Sequence, residues 1–125
     1  MQIPVNPMSL TIYHNPKCSK SRKTLELIRA RGIEPTIVLY LEAPPSAERI
    51  LELAGLLACP VRDLLRSSEE EFREAADLPE LDDAAAVASW LTRHPRVLQR
   101  PIVVDDERPA AVVGRPPESV LGLMP

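Results

Sequence analysis

One cysteine, Cys18, stands between an apolar run and a segment with helical spacing, and a thiol in that position can act as a nucleophile. Residues 10–13 have strand character, residues 14–17 have turn character through an Asn-Pro pair, and apolar residues recur at helical spacing from Ser19 onward. Cys18 is therefore expected at a helix N-terminus, where unpaired N–H groups and the helix dipole lower a thiol pKa. The basic residues that act in the same direction are Lys17, Lys20 and Arg22.

Position alone leaves two interpretations of Cys18. The thiol is either an activated nucleophile or a small buried side chain, which is how most single cysteines in intracellular proteins behave. The other cysteine, Cys59, precedes Pro60 and forms no Cys-X-X-Cys pair with Cys18. Both cysteines are expected to be reduced thiols, with Cys59 a buried structural one. No metal site and no bound cofactor are predicted, because no residue group has zinc-ligand spacing and no glycine-rich phosphate loop is present.

The composition fits one ordinary globular domain. The chain has 125 residues, of which 45% are hydrophobic, and its formal net charge is −3. Such a charge provides no broad basic field, so neither nucleic acid nor a membrane is expected as a partner, and any anion site must be local. No apolar run is long enough to span a bilayer and no secretory pattern is seen at the N-terminus, so the cytoplasm is the expected location.

The first part of the chain predicts a βαβ unit. Residues 1–8 have neither strand nor helix pattern and are predicted to be a disordered lead or the product of an alternative start, followed by a single domain over residues 9–125. A helix is predicted over residues 19–31, ended by a glycine. The strands on either side of it are predicted over residues 10–13 and 36–40.

The rest of the chain predicts helices followed by a hairpin. Several short helices are expected between residues 46 and 92. Residues 102–104 and 111–113 are predicted to form an antiparallel hairpin, with a short helix after it. The order βαβ, several helices, then ββα is that of an α/β thioredoxin-like mixed sheet with a helical insertion between strands two and three. The polar residues expected to cap the inserted helices are Ser46 and either Asp82 or Asp83.

The turn before Cys18 resembles the active-site segment of a known family. The motif His14-Asn15-Pro16-Lys17-Cys18 is similar to that of the glutaredoxin-linked arsenate reductase family, in which a single catalytic cysteine follows a His-Asn-Pro turn. The resemblance covers about residues 9–121 and implies the thioredoxin-like fold with a cis Arg100-Pro101 peptide bond. The other segments that resemble the family, in its order, are residues 34–42, 61–66, 99–104 and 114–117.

Three arginines correspond to the substrate-binding arginines of that family. Arsenate is a small tetrahedral oxyanion, and the planar guanidinium fork binds such an anion through paired, charge-assisted hydrogen bonds. The resemblance implies this role for the arginines of Leu-Leu-Arg, Arg-Pro-Ile-Val-Val and Gly-Arg-Pro, while any single arginine is more often a solvated surface charge. These arginines are Arg66, Arg100 and Arg115.

Four residues near Cys18 are auxiliary candidates, each with a structural alternative. His14 either helps to hold Cys18 as a thiolate, as the resemblance implies, or hydrogen bonds within the turn. Ser21 either donates its hydroxyl to the sulfur or bonds the backbone at the helix start. Asn15 is first a turn residue and second an oxyanion donor, and Arg22 either touches the anion or faces water.

The resemblance implies a complete reaction. Arsenate is bound by the arginines, the Cys18 thiolate attacks arsenic to form a covalent adduct, and glutathione attacks that adduct as co-substrate. Glutaredoxin then resolves the mixed disulfide, and arsenite leaves. Ser21 stands where a resolving cysteine would be, so the chain must borrow its second thiol.

Two other functions are consistent with the sequence. A thioredoxin-like family that binds RNA polymerase and regulates transcription shares this architecture, but it usually carries a Cys-X-X-Cys pair, which Cys18-Ser19-Lys20-Ser21 lacks. A paralogue that keeps the thiol and the anion pocket would instead reduce another oxyanion or a mixed disulfide. Glutathione-dependent reaction on a disulfide, with none on arsenate, would single out the paralogue.

Overall fold

The structure is a computed structural model that describes residues 8–124. Except for Met8, the predicted disordered lead therefore lies outside the described residues. The chain divides into two compact units, one made of residues before Tyr40 and after Gln99, and the other made of Tyr40–Gln99. The first unit contains the sheet and the second contains the helices inserted between its strands.

The first unit is built on a four-stranded mixed sheet. The bounds in this unit are β1 Leu10–His14, α1 Ser19–Ala30, β2 Thr36–Leu39, β3 Ile102–Asp105, β4 Ala110–Val113 and a terminal 3-10 helix Pro117–Leu123. The strands lie in the order β2-β1-β3-β4, with β1 parallel to β2 and antiparallel to β3, and with β3 antiparallel to β4. The parallel pair requires a crossover, which helix α1 provides. The α/β thioredoxin-like fold predicted from the order of elements is confirmed.

An apolar core fixes α1 and the terminal 3-10 helix to the sheet. Ile12 of β1, Ile28 of α1 and Val103 of β3 are fully buried in one cluster, together with Val120 of the terminal helix. Helix α1 presents its apolar residues to this cluster at helical spacing, and it ends before Gly32, whose φ of +79° is easily adopted only by glycine. The core thus anchors the helix that begins beside Cys18.

The strand register brings three chain segments to one edge of the sheet. Tyr13 near the end of β1 lies opposite Ile102, which begins β3, and Ile102 lies opposite Val113, which ends β4. The loop after β1, the segment before β3 and the segment after β4 therefore meet at this edge. The last two segments contain cis peptide bonds, at Arg100-Pro101 as the resemblance implied, and also at Arg115-Pro116.

The second unit is helical, as the sequence predicts. Trp90 is fully buried, donates its indole N–H to Asp77 Oδ1 over 3.0 Å, and stacks on His94 with ring centroids 4.1 Å apart. The bounds are α2 Ala47–Leu57, a 3-10 helix Val61–Leu64, α3 Glu70–Arg73, α4 Ala84–Arg93 and a 3-10 helix Pro95–Val97. Ser46 Oγ and Asp83 Oδ1 accept N–H groups at the starts of α2 and α4, so both predicted caps are present.

Candidate active site

Cys18 lies immediately before α1 as its N-cap residue. Its backbone is extended, with φ −95° and ψ 122°, while its N–H donates to Asn15 C=O over 3.0 Å and its C=O accepts the N–H of Arg22 over 3.0 Å. The tight turn and the first helical hydrogen bond hold the residue from both sides. The side chain is partly exposed, so the thiol is fixed in place and remains accessible to a small substrate.

The surroundings of the sulfur favour the thiolate. Partial burial acts first and would raise the pKa of Cys18, but the backbone N–H groups of Ser21 and Lys20 and then the Arg100 guanidinium act in the opposite direction and leave the pKa lowered. Backbone dipoles at the start of a helix and a nearby cation are the two common causes of an activated cysteine. Cys18 has both of them.

The hydroxyl of Ser21 organises the turn. Its Oγ lies 2.7 Å from His14 Nδ1 and accepts the N–H of Asn15 over 3.0 Å. Asn15 Oδ1 in turn accepts the N–H of Lys17 over 3.0 Å, which closes an Asx turn in front of Cys18. Of the two predicted roles of Ser21, the geometry favours the bond to the backbone, while its own N–H, rather than its hydroxyl, acts on the sulfur. Asn15 acts as a turn residue, which was the first of its two predicted roles.

The surroundings of His14 favour its neutral form. Only 6% of its surface is exposed, and burial lowers the pKa of His14, with smaller contributions in the same direction from the charges of Arg29 and Arg22. Burial disfavours the imidazolium because the charged ring would lose its water. The hydrogen bond to Ser21 is thus the role that the geometry favours for His14.

Arg22 supports the loop that leads to Cys18. Its side chain is exposed, and its Nη1 donates to the backbone C=O of Pro16 over 2.9 Å. A guanidinium has five N–H donors, so this contact leaves others directed at solvent. Arg22 therefore fixes the Asn-Pro turn that precedes Cys18.

Two of the three predicted arginines lie at the edge of the sheet that carries Cys18. The Arg100 guanidinium lies beside the Cys18 sulfur, where it lowers the pKa of the thiol. Arg115 Nη1 donates to the backbone C=O of Arg100 over 3.2 Å, which draws the segment after β4 toward the segment before β3. Within this unit the structure thus brings together one thiol and two guanidinium groups.

Arg66 belongs to the second unit. Its N–H donates to Val97 C=O over 2.7 Å, and its Nη1 lies 3.5 Å from Gln99 Oε1. Its Nε is 3.7 Å from a carboxylate oxygen of Glu69. Arg66 is therefore attached to Gln99, the residue that directly precedes Arg100 in the chain.

Sequence reasoning missed two residues near the site, Thr24 and Gly114. Thr24 is fully buried in α1, and its Oγ1 donates to Lys20 C=O over 2.8 Å. Gly114 lies so close to Thr24 that an added Cβ would be 2.5 Å from Thr24 Oγ1. The Gly-Arg-Pro motif drew attention only to its arginine, and no sequence signal connects Thr24 with Gly114.

Within residues 8–124, no group of His, Cys, Asp and Glu side chains is arranged to hold a metal ion. Over the same residues, no helix has both the length and the apolar character required to cross a membrane. Cys59 is partly exposed rather than buried, and burial followed by the charge of Asp63 raises its pKa. Among the described residues, Cys18 is therefore the cysteine whose thiolate is favoured.

The fold and the site together define a class of protein. A mixed sheet of βαβ and ββα halves, with a single activated thiol at the start of the first helix, is the framework of thioredoxin-like thiol proteins. The chain belongs to the ArsC family, whose sequence pattern matches residues 13–123.

Relatives and solved structures agree with this assignment. The chain is 41% identical over 117 residues to an arsenate reductase from Escherichia coli, and this alignment covers 94% of this chain and 82% of the relative. It is also 40% identical over 114 residues to YfgD, an uncharacterized protein from Escherichia coli strain K12, covering 90% of this chain and 94% of that protein. The structure of an arsenate reductase from Vibrio cholerae superposes with a TM-score of 0.83 at 43% identity, covering 95% of this chain and 100% of that one.

Proposed function

We propose that this protein reduces arsenate to arsenite, with Cys18 as the nucleophile and with glutathione and glutaredoxin as electron donors. The observation that carries the proposal is a thiol of lowered pKa beside the Arg100 guanidinium, in a chain 41% identical to an arsenate reductase. A cation beside the sulfur both stabilises the thiolate and attracts an oxyanion to it. One site thus serves binding and attack.

Arg100 and Arg115 bind the anion in the first step. Arg115 donates to the backbone of Arg100, so the two guanidinium groups belong to adjacent segments, and a guanidinium has enough N–H donors to bind arsenate oxygens as well as the protein. Arg66 is the third arginine in the proposal. Its support is the matching sequence segment and its bond to Gln99, which adjoins Arg100 in the chain.

Attack and reduction follow from the chemistry of the thiolate. The Cys18 sulfur forms a bond to arsenic(V), and a protonated arsenate oxygen leaves as water. Glutathione then attacks the adduct, a disulfide forms between Cys18 and glutathione, and the two electrons given up by the thiols reduce arsenic to arsenite. Glutaredoxin accepts the glutathionyl group, which returns Cys18 to a thiolate. The chemistry needs reduced thiols, so the proposal places the protein in the cytoplasm.

NADPH oxidation in the presence of arsenate, glutathione, glutaredoxin and glutathione reductase tests the proposal. We expect arsenate-dependent turnover that is lost in Cys18→Ser and kept in Cys59→Ser, the matched control. Turnover retained in a folded Cys18→Ser variant would refute the assignment of the nucleophile.

The same assay separates the two alternative functions. Glutathione-dependent reduction of a mixed disulfide with no response to arsenate would identify a paralogue with another substrate. No thiol-dependent turnover at all would favour the transcription-regulator module, for which the next measurement is binding to RNA polymerase.

The assignment of Arg66 needs its own comparison. Arg66→Ala is expected to raise the KM for arsenate about tenfold or more, since a charged hydrogen bond contributes about 1.5–3 kcal/mol. Arg62→Ala is the control, because Arg62 is exposed and forms an ion pair with Asp82. Equal KM values in the two variants would remove Arg66 from the site.

A further inference from the structure

Gly114 is the glycine in the described chain that has no room for a side chain. A Cβ built on it would lie 2.5 Å from Thr24 Oγ1, 2.9 Å from Pro101 Cγ and 3.1 Å from Thr24 Cγ2. Non-bonded contacts of a Cβ below 3.0 Å are essentially absent from folded proteins, so the first two distances are clashes and the third is tight. Protein interiors pack too densely to absorb an extra methyl group without movement.

The need for glycine at this position is steric. Gly32 has the positive φ that favours glycine, but Gly114 is not among the described residues with positive φ. A Cβ on Gly32, Gly55 or Gly122 would meet nothing within 4 Å. Gly114 differs from these three glycines because its missing side chain allows Thr24 and Pro101 to lie close to its backbone.

The first neighbour, Thr24, is connected by a hydrogen bond to Lys20, one of the N–H donors around the Cys18 sulfur. Thr24 is fully buried, and its Oγ1 donates to the backbone C=O of Lys20 over 2.8 Å. The N–H of Lys20 is one of the two backbone donors that act on Cys18. A displacement of Thr24 would therefore shift the first turn of α1, in which these donors lie.

The second neighbour, Pro101, connects Gly114 to the segment of Arg100, the arginine beside the Cys18 sulfur. Pro101 follows Arg100, and its C=O accepts the N–H of Gly114 over 2.9 Å. The residue after Gly114 is Arg115, whose Nη1 donates to Arg100 C=O. Gly114 thus touches the helix that carries the N–H donors on one side and the segment that carries the guanidinium groups on the other.

We propose that Gly114 is a positioning residue, whose missing side chain sets the distance between the first turn of α1 and the Arg100-Pro101 segment. This inference rests on the proposed role of Cys18 as nucleophile. Gly114 does not touch the substrate. It acts through Thr24 and Pro101, so that the backbone donors and Arg100 reach the same sulfur.

The test compares Gly114→Ala with Gly122→Ala in a Cys59→Ser background, and the readout is the rate of Cys18 alkylation by iodoacetamide across pH. Gly114→Ala is expected to raise the pKa of Cys18 by about one unit, which slows alkylation about tenfold below that pKa. Gly122→Ala, whose Cβ has open space, is expected to keep the wild-type profile. The readout needs no arsenate, so it stays informative if the proposed substrate is wrong.

A rescue variant separates positioning from a general loss of stability. Thr24→Ala removes both Thr24 atoms that the new Cβ would meet and leaves the contact with Pro101 Cγ at 2.9 Å, so Gly114→Ala/Thr24→Ala is expected to move the alkylation profile from that of Gly114→Ala toward that of Thr24→Ala. If Gly114→Ala does not fold, the double variant carries the same comparison. A folded Gly114→Ala with the wild-type profile would overturn the proposal, and so would a double variant that fails to fold or shows the two effects simply added.

Discussion

The two cysteines of this chain are both partly exposed, and the pKa values of their thiols are shifted in opposite directions. Cys18 is the N-cap residue of α1, and the pKa of its thiol is lowered. Cys59 follows the end of α2, after Ala58 in the left-handed region, and its pKa is raised. Burial raises the pKa of both, so the difference comes from what else surrounds each sulfur: N–H donors and Arg100 at Cys18, the carboxylate of Asp63 at Cys59.

Exposure alone therefore does not predict a reactive thiol in this protein. The end of the helix at which the sulfur lies, and the sign of the nearest charged side chain, determine whether the thiolate is favoured. Four predictions test this comparison. They begin with the full difference in alkylation rate between the two thiols and end with the effect of one carboxylate on Cys59.

The largest expected effect is selective alkylation. At about pH 7, Cys18 should react with iodoacetamide at least about tenfold faster than Cys59, because each unit of pKa difference changes the thiolate fraction about tenfold. Peptide mapping after brief labelling gives both rates in the same sample. Equal rates would mean that the surroundings of the two sulfurs do not control their chemistry.

The next effect isolates the cation beside the sulfur. Arg100→Ala should raise the pKa of Cys18 and slow its alkylation about three- to tenfold at a pH below that pKa. The reason is that a cation within contact distance of an acid changes its pKa by about one unit. Arg29→Ala is the control, because the exposed Arg29 guanidinium is already paired with Glu34 at 2.8 Å. An equal rate loss in Arg29→Ala would show that the overall charge acts, rather than the contact with Arg100.

A third prediction concerns His14, whose lowered pKa favours the neutral ring in the folded state. The resulting stability is fully present above the ordinary histidine pKa of about 6.5 and is lost as pH falls from there through the folded pKa. Urea unfolding should therefore give a lower free energy of unfolding at about pH 5 than at about pH 7.5. A tenfold weaker affinity of the folded state for the proton corresponds to a loss of up to about 1.4 kcal/mol.

His14→Gln should reduce that pH dependence, while contributions shared by the two proteins cancel in the comparison. Greater stability of the wild type at the lower pH would indicate a protonated His14 in the folded state. His14 would then be a further cation acting on Cys18, in addition to Arg100.

The sequence predicted the features of the site that depend on local order. An Asn-Pro turn followed by helical spacing placed Cys18 at the start of α1, where it is found. The hairpin and the crossover placed Arg100 and Arg115 at the strand ends that meet near Cys18. Both features can be predicted from one sequence. A turn is determined by a few neighbouring residues, and the order of strands follows from simple topological rules.

The features that the sequence could not predict depend on distances between segments. Whether the hydroxyl of Ser21 is directed to the sulfur or to Asn15 is decided by the fold of the turn, and both choices fit the same spacing. The contact between Thr24 and Gly114 joins a helix to the end of a distant strand, so no local pattern indicates it. Sequence supplied the chemical groups, and packing determined which of them touch.

The smallest effect is expected at Cys59. Asp63→Asn in a Cys18→Ser background should lower the pKa of Cys59 only slightly and raise its alkylation rate about twofold, because burial is the larger cause of its raised pKa and remains in the variant. Asp82→Asn is a matched control, since the exposed Asp82 is paired with Arg62 and is not among the groups that raise the pKa of Cys59. If removing one carboxylate brought Cys59 to the reactivity of Cys18, the N–H donors at the start of α1 would no longer be needed to explain the difference. A small gain would instead leave those donors and Arg100 as its cause.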